Sequence, residues 1–457
     1  MSDFRIEKDI IGERSVPADA YYGIQTLRAI ENYPISGLVI DPIFIKSYGY
    51  IKKAAALTNL NCKVLDKSKA EAIIKASEEL IEGKLNAHIK VDVYQAGAGT
   101  SFNMNVNEVI ANRALEILGY PLGSYNVIHP NDHVNLSQST NDTFPTALRI
   151  SIIIYHKLLL KELLRLLHVF KFKAKEFAKV IKSGRTHLQD ALPVSLGKEF
   201  SCYAAIIANH IEHLKKAVAP LYYLGLGGTA VGTGANAPAG YSRKVIKMLA
   251  ELTGIHFKKA PNLMEKMQSL SDFCCYSSAL KNLALDMVKI SSDLRLLASG
   301  PRTGFAEIEL PAVQPGSSIM PGKINPSICE AVLMICFQVI GNDLCVSLSS
   351  QAGQLELNVT VPLVAHNLLF SIRILSNGIN IFAEKCVKGI KANEKICYHY
   401  FQNSLAMATL LSPLIGYEKA AEIAREAKET NRSVLDLAIE KNIITDDEIK
   451  KIIKSNL

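Results

Sequence analysis

Residues 146–183 and 262–299 contain neither glycine nor proline. A backbone run of that length without a hinge or a breaker favours a continuous helix. In the first run, Ile152, Tyr155, Leu159, Leu163, Leu166, Phe170, Ala174 and Phe177 recur at steps of three or four, the period of an amphipathic helix. Fully helical, it spans about 55 Å at ~1.5 Å per residue. Asp142 or Thr143 is placed to cap its start, with Pro145 in the first turn, and Ser183-Gly184 to stop it. Ile154, Leu158, Leu160, Leu164, Leu167 and Val169 widen the apolar surface beyond one stripe. Such a helix is expected to be covered on most sides, in a bundle to which more than one chain contributes. The second run carries Leu270, Phe273, Leu280, Leu283, Met287, Ile290, Leu294 and Leu297 at similar spacing. Segments 194–219, 327–352 and 363–388 add three more helices. Strand signals are sparse, so the expected fold class is all-α.

A chain of 457 residues is too long for one compact core. The expected division is 1–139, a mostly helical N-terminal domain; 140–389, the long-helix bundle; and 390–457, a small helical domain. In the last, Ser433 and Thr445, each followed three positions later by Asp436 or Glu448, look like helix N-caps. A hydrophobic content of 49% with 21% charged residues excludes wholesale disorder. The net charge of +8 is spread among scattered lysines with no basic run, so no nucleic-acid partner is expected. Nine cysteines without a CxxC pair suggest free thiols in a reducing, cytoplasmic setting. The charged start at residues 1–9 is unlike a signal peptide. Lys157, Lys161, Glu162 and Arg165 interrupt the apolar stretch 150–170, so no membrane association is expected.

The densest chemistry lies in Gly316-Ser317-Ser318-Ile319-Met320-Pro321-Gly322-Lys323-Ile324-Asn325-Pro326. Its glycines and prolines exclude a regular helix and predict a shaped loop. Lys offers a point charge, Asn an oriented amide, and Ser a base once its alkoxide is stabilised. Three other segments are rich in donors near expected helix boundaries. They are Gln95-Ala96-Gly97-Ala98-Gly99-Thr100-Ser101, the run from His129, Asn131 and Asp132 to Ser139-Thr140-Asn141-Asp142, and Gly184-Arg185-Thr186-His187-Leu188-Gln189-Asp190. Any one of these is explained by capping or by a core histidine, but their joint presence suits anion binding and proton abstraction beside a carboxylate. The Gly225–Gly234 run lacks the Lys-Ser/Thr of a phosphate loop and reads as an inter-helix turn. With no metal-ligand spacing and no dinucleotide fingerprint, neither a metal nor a cofactor is expected.

These segments resemble the aspartase/fumarase superfamily over essentially the whole chain, and residues 316–326 look like its signature. Tyr21-Tyr22-Gly23-Ile24-Gln25-Thr26-Leu27-Arg28-Ala29-Ile30-Glu31-Asn32, Gly97-Ala98-Gly99-Thr100-Ser101 and Gln138-Ser139-Thr140-Asn141-Asp142 look like the aspartase forms. Thr143-Phe144-Pro145 looks fumarase-like, and Arg185 to Asp190 resembles fumarases and a subset of aspartases. Residues 234–241 and 262–267, with Lys266, depart from both patterns. The resemblance implies cofactor-free, reversible deamination of the dicarboxylate L-aspartate to fumarate. It also implies a three-domain chain with a five-helix central bundle, assembled as a homotetramer around a twenty-helix core with active sites shared between subunits. By the same analogy Thr100, Ser139, Thr140 and Ser318 hold the β-carboxylate, and Thr186, Lys323 and Asn325 the α-carboxylate. Asn141 and His187 lie near the amino group, Ser317 is the base, and His187 is an acid/base or an orienting group. His129, Asn131 and Asp132 are candidates for a second anion site. Fumarate hydratase and an inactive helical scaffold stay open as rival readings.

Overall fold

The computed structural model describes residues 4–445 and 447–449. Residues 1–3 of the charged start, and residues 446 and 450–457 of the expected C-terminal domain, lie outside the described residues. The chain opens with a hairpin of β1 (Phe4–Asp9) and β2 (Gly12–Pro17), followed by α1 (Ile24–Asn32), α2 (Pro42–Asn61), α3 (Lys67–Ile81) and α4 (Thr100–Ile117). Helix α5 (Thr140–Glu176) leads into a second hairpin, β3 (Ile181–Thr186) and β4 (Gln189–Ser195), and then α6 (Leu196–Val218). After β5 (Tyr223–Leu224) come α7 (Tyr241–Thr253), β6 (Lys258–Lys259), α8 (Glu265–Gln268) and α9 (Ser271–Leu297). The remainder is β7 (Ile308–Glu309), α10 (Ser327–Gln351), α11 (Val361–Lys385), β8 (Lys391–Ala392), α12 (Glu394–Asn403), α13 (Ala408–Ile415), α14 (Tyr417–Thr430) and α15 (Val434–Glu440). Helices dominate and the sheets are two-stranded, as the all-α reading expects.

All five long helices form, with two corrections to α5. Its cap lies earlier than expected: Ser139 Oγ accepts from Asn141 N and Asp142 Oδ1 accepts from Ser139 N, a reciprocal capping box. It also stops at Glu176, short of Ser183-Gly184, because residues 181–186 pair with β4 instead. Hairpin pairing gives that segment cross-strand partners in place of helical ones, and Gly197 lets α6 start against the end of α5: a Cβ there would sit 2.4 Å from Ala174 O. The predicted stripe of α5 is buried from Ile152 to Phe177, except for partly exposed Ala174, whereas Leu158 and Leu164 on its flank are exposed. On α10, Met334, Phe337, Leu344 and Leu348 are also exposed. Among the described residues α10 alone is long and apolar enough to cross a membrane. In the C-terminal segment, Ser433 Oγ caps α15, and Thr445 and Glu448 form the anticipated reciprocal cap. All nine cysteines are free; Cys329 Sγ and Cys386 Sγ lie 3.6 Å apart.

The chain divides into two compact units. The first comprises Met1–Leu159, His213–Asn282 and Gln338–Ile374. Its core includes the fully buried rings of Phe44, Tyr48, Phe102 and Phe144, with centroids 4.7–6.2 Å apart. The second comprises Leu160–Glu212, Leu283–Phe337 and Leu375–Leu457. There Phe170, Phe177, Phe200 and Tyr203 pack together, and Phe401, Leu411, Ile423 and Leu437 build a further cluster.

A buried ion cluster anchors the second hairpin within that unit. Lys182 Nζ lies 2.6 Å from Glu307 Oε2 and 3.0 Å from Glu199 Oε1, and Arg185 Nη1 lies 2.9 Å from Glu307 Oε1. Glu307 is fully buried, so losing a partner leaves a charge without water. Lys182→Met is expected to destabilise the protein by about 3–5 kcal/mol, read as a lower denaturation midpoint. An unchanged midpoint would show that Arg185 alone compensates Glu307.

Candidate active site

The loop before α10 has the shape that its glycines and prolines predict. Gly316 N donates to Lys323 O at 2.9 Å and Asn325 Nδ2 donates to Gly316 O at 2.5 Å, which closes the neck. Only glycine fits there: a Cβ on Gly316 would sit 2.3 Å from Lys323 O and 2.7 Å from Asn325 N. Within the closed loop, Ser317 Oγ accepts from Ile319 N at 3.2 Å and from Met320 N at 2.9 Å. Two backbone donors converging on one hydroxyl oxygen are the arrangement that stabilises negative charge on it. Ser318 and Lys323 are exposed, and Ser317 and Asn325 are partly buried.

Thr186 and His187 stand at the tip of the β3–β4 hairpin, where Thr186 pairs with Gln189. His187 and Leu188 form the two-residue turn with φ of 56° and 58°. Positive φ at both central positions is the signature of a type I′ turn, which normally selects Asn or Gly. Two bulky residues there cost on the order of 1–3 kcal/mol each, strain of the kind found at functional sites. Arg185 holds the strained tip from below. Its guanidinium pairs with Glu307 and lies 4.3 Å from the Phe305 ring and 5.3 Å from the Tyr400 ring. Thr186 and His187 are exposed. This hairpin and the Ser317 loop belong to the second unit.

Thr100 and the Ser139–Asn141 segment belong to the first unit. Thr100 opens α4 after Ala98 and Gly99, whose φ values are 59° and 87°. A Cβ on Gly99 would sit 2.1 Å from the Phe144 ring, so the turn can press against the aromatic core only as glycine. Asn141 Nδ2 donates to Ala230 O at 2.8 Å, and Thr140 Oγ1 accepts from Asn103 Nδ2 at 2.9 Å. Ala98, Asn141, Pro145 and Met267 line a small cavity of about 10 Å³. The glycine-rich run does bind an anion, but one of the chain's own: Gly227 N and Thr229 N donate to Asp142 Oδ2 at 2.9 and 3.0 Å. His129 Nδ1 accepts from Asn131 N and Asp132 N at 3.2 and 3.3 Å and lies 3.6 Å from Asp132 Oδ2.

Several groups beneath these segments escape a reading of motifs. Lys52 is fully buried and donates to Asn103 Oδ1, Asn135 Oδ1 and Gln138 Oε1 at 3.0, 3.1 and 3.0 Å. Burial pushes its ammonium down to about 7, against the pull of Asp142, and burial lifts Asp142 to about 6 against its backbone hydrogen bonds. A lysine inside the apolar run Tyr50-Ile51-Lys52-Lys53-Ala54-Ala55-Ala56 was the available signal. Glu307 gave none, since its partners lie far away in sequence. Lys266, at a departure from the family pattern, pairs with Asp272 at 2.8 Å, beside Arg149 at 3.1 Å from the same oxygen.

Comparison with known proteins identifies the family. The lyase family model matches residues 12–341, and the fumarase C C-terminus model matches residues 407–456. The chain is 49% identical over 451 residues to an aspartate ammonia-lyase of Bacillus subtilis (strain 168), covering 99% of this chain and 95% of that one. It is 45% identical over 457 residues to a class II fumarate hydratase of Thermosynechococcus vestitus, covering 100% and 98%. A crystal structure described as fumarate lyase:delta crystallin from Brucella melitensis bound to cobalt superposes with a TM-score of 0.95 at 46% identity, covering 99% of this chain and 98% of that one. A glycine-closed serine loop, a strained Thr-His hairpin and matches that run nearly end to end place the chain in the lyase family of the aspartase/fumarase superfamily.

Proposed function

We propose that this chain is an L-aspartate ammonia-lyase, converting L-aspartate reversibly to fumarate and ammonia. Ser317 carries the reading, because its Oγ already accepts two backbone N–H groups, Ile319 and Met320. A serine hydroxyl is a poor base unless its alkoxide is stabilised, and this loop supplies the donors. Ser317 Oγ takes the proton from the carbon beside the β-carboxylate. The electron pair spreads onto that carboxylate as an aci-carboxylate, then returns to form the double bond as the carbon–nitrogen bond breaks and ammonia leaves. Thr100, Ser139, Thr140 and Ser318 meet the growing charge, while Thr186, Lys323 and Asn325 hold the α-carboxylate. Asn141 and His187 orient the amino group. His129 serves with Asn131 and Asp132 as a second anion site. The reaction is redox-neutral and this scheme uses no cofactor.

The working form in this proposal is a cytoplasmic homotetramer with shared sites, and its chains divide at residues 1–139, 140–389 and 390–457. Exposed Leu158 and Leu164 on α5, and Met334, Phe337, Leu344 and Leu348 on α10, support assembly: large apolar side chains left exposed along a helix favour cover by further copies. Fumarate hydratase is the second reading, favoured by Thr143-Phe144-Pro145 and by the Thermosynechococcus vestitus relative.

Purified protein is expected to release fumarate and ammonia from L-aspartate, with negligible fumarate from malate. Comparable turnover of malate would promote the hydratase reading, and no turnover of either would promote the scaffold. Ser317→Ala should lower turnover by about 10²–10⁴-fold, as for loss of a general base, with assembly unchanged. A near-normal rate would move the base elsewhere. Thr186→Val and Ser317→Ala chains, each inactive alone, should regain activity when co-expressed, because some sites in a mixed tetramer carry neither lesion. Mixed tetramers without recovered activity would show that one chain supplies both loops to a site.

A further inference from the structure

We propose that Asn103 is a positioning residue that fixes Thr140 as a hydrogen-bond donor toward the substrate carboxylate, and that Lys52 fixes Asn103. The proposal rests on the reading of Thr140 as a substrate contact. Its basis is the direction of each hydrogen bond in a closed chain of groups within the first unit.

Lys52 starts the chain. A protonated ammonium has three donors and no acceptor. All three are used, on the side-chain oxygens of Asn103, Asn135 and Gln138. While Lys52 is protonated, the amide of Asn103 presents its oxygen to it, which turns Nδ2 the other way. Nδ2 then donates to Thr140 Oγ1 at 2.9 Å and, more weakly, to Asn135 Oδ1 at 3.2 Å. With its oxygen accepting from Asn103, the Thr140 hydroxyl keeps its own proton for another partner. Among the described residues no acceptor takes that proton. Thr140 is also the first residue of α5, where no preceding helical turn offers a carbonyl to its hydroxyl. Asp142, two residues on, is committed elsewhere: its carboxylate oxygens accept from Ser139, Gly227 and Thr229 backbone N–H groups. Thr140 itself is 8% exposed.

A hydroxyl is ordinarily ambivalent, able to donate or accept. This network removes the choice before substrate arrives. A carboxylate that gathers charge during proton abstraction needs donors already aimed at it, because reorientation during the reaction would cost part of the stabilisation. Asn103 supplies that orientation without touching substrate.

Asn103→Asp is the discriminating variant. It is isosteric, and its carboxylate still accepts from Lys52, so a merely structural role is retained at the loss of the weak contact with Asn135. Asp has no amide hydrogen, however, and its second oxygen now takes the Thr140 proton. Fumarate formation is followed with whichever of aspartate or malate the wild-type chain converts. The expected result is a kcat lower by about 10²–10³-fold, the usual effect of losing one oriented donor, with KM changed by less than about threefold. Thr140→Val should lower kcat similarly, Thr140→Ser should restore most of it, and Asn103→Asp added to Thr140→Val should cost nothing more. If Asn103→Asp does not fold, judged by circular dichroism, Asn103→Leu takes its place in the same cycle with the same non-additivity. A normal kcat in a folded Asn103 variant alongside a slow Thr140→Val would overturn the proposal while leaving Thr140 in the site. A normal kcat in Thr140→Val would overturn both this proposal and the placing of Thr140 at the carboxylate. Additive losses in the double variant would also overturn it, by showing that Asn103 acts independently of Thr140.

Discussion

The carboxylate of Asp142 joins the start of the longest helix to a distant glycine-rich turn. One oxygen closes the cap on Ser139, and the other accepts from Gly227 and Thr229. Ser139, Thr140 and Asn141 lie directly before it, so the register of those side chains is set by where Asp142 is held. Asn141 adds a bond to Ala230 of the same turn. The turn itself depends on positive φ at Gly227, Thr229, Gly232 and Gly234, and a Cβ on Gly232 would approach Met264 Cα to 2.4 Å. A buried anion of this kind is stable only because three backbone donors and the nearby Lys52 compensate the lost water.

The second unit uses the same principle with side-chain cations. Glu307, fully buried, is met by Lys182 and Arg185, and Arg185 is the residue directly before Thr186 and His187. The strained turn at His187 and Leu188 persists because its stem is pinned by this ion cluster and by two aromatic rings. In both units some of the polar groups proposed to meet substrate, Thr140 in the first and Thr186 and His187 in the second, are held by buried charges that do not meet it. That arrangement suits catalysis through preorganisation, in which donors are fixed before charge develops.

Much of the fold was legible in the chain's pattern. Apolar spacing marked the buried stripe from Ile152 to Phe177 and the other long helices, because burial on a helix repeats with the backbone's own period. Glycine and proline marked the loop at 316–326, and its closure by Gly316 has a steric cause visible in the structure. Where helix and hairpin compete, pattern alone misled. Residues 177–183 continue the helical spacing of α5, yet the chain turns there because β4 offers pairing that no local pattern reveals. The His187-Leu188 turn carries none of the residues that announce a tight hairpin.

The sequence by itself determined the helix-rich class, the lyase family and the residue types of the site, since periodicity and motif chemistry are local properties. Only the tertiary structure decided which buried groups hold those residues: Lys52 beneath Asn103, Asp142 in its glycine turn, and Glu307 beneath Arg185. Lys52 and Asn103 stand 51 positions apart, and Arg185 and Glu307 122 positions apart. A buried charge is tolerated only where folding brings such distant partners within hydrogen-bond reach, and that condition is met in space, not along the chain.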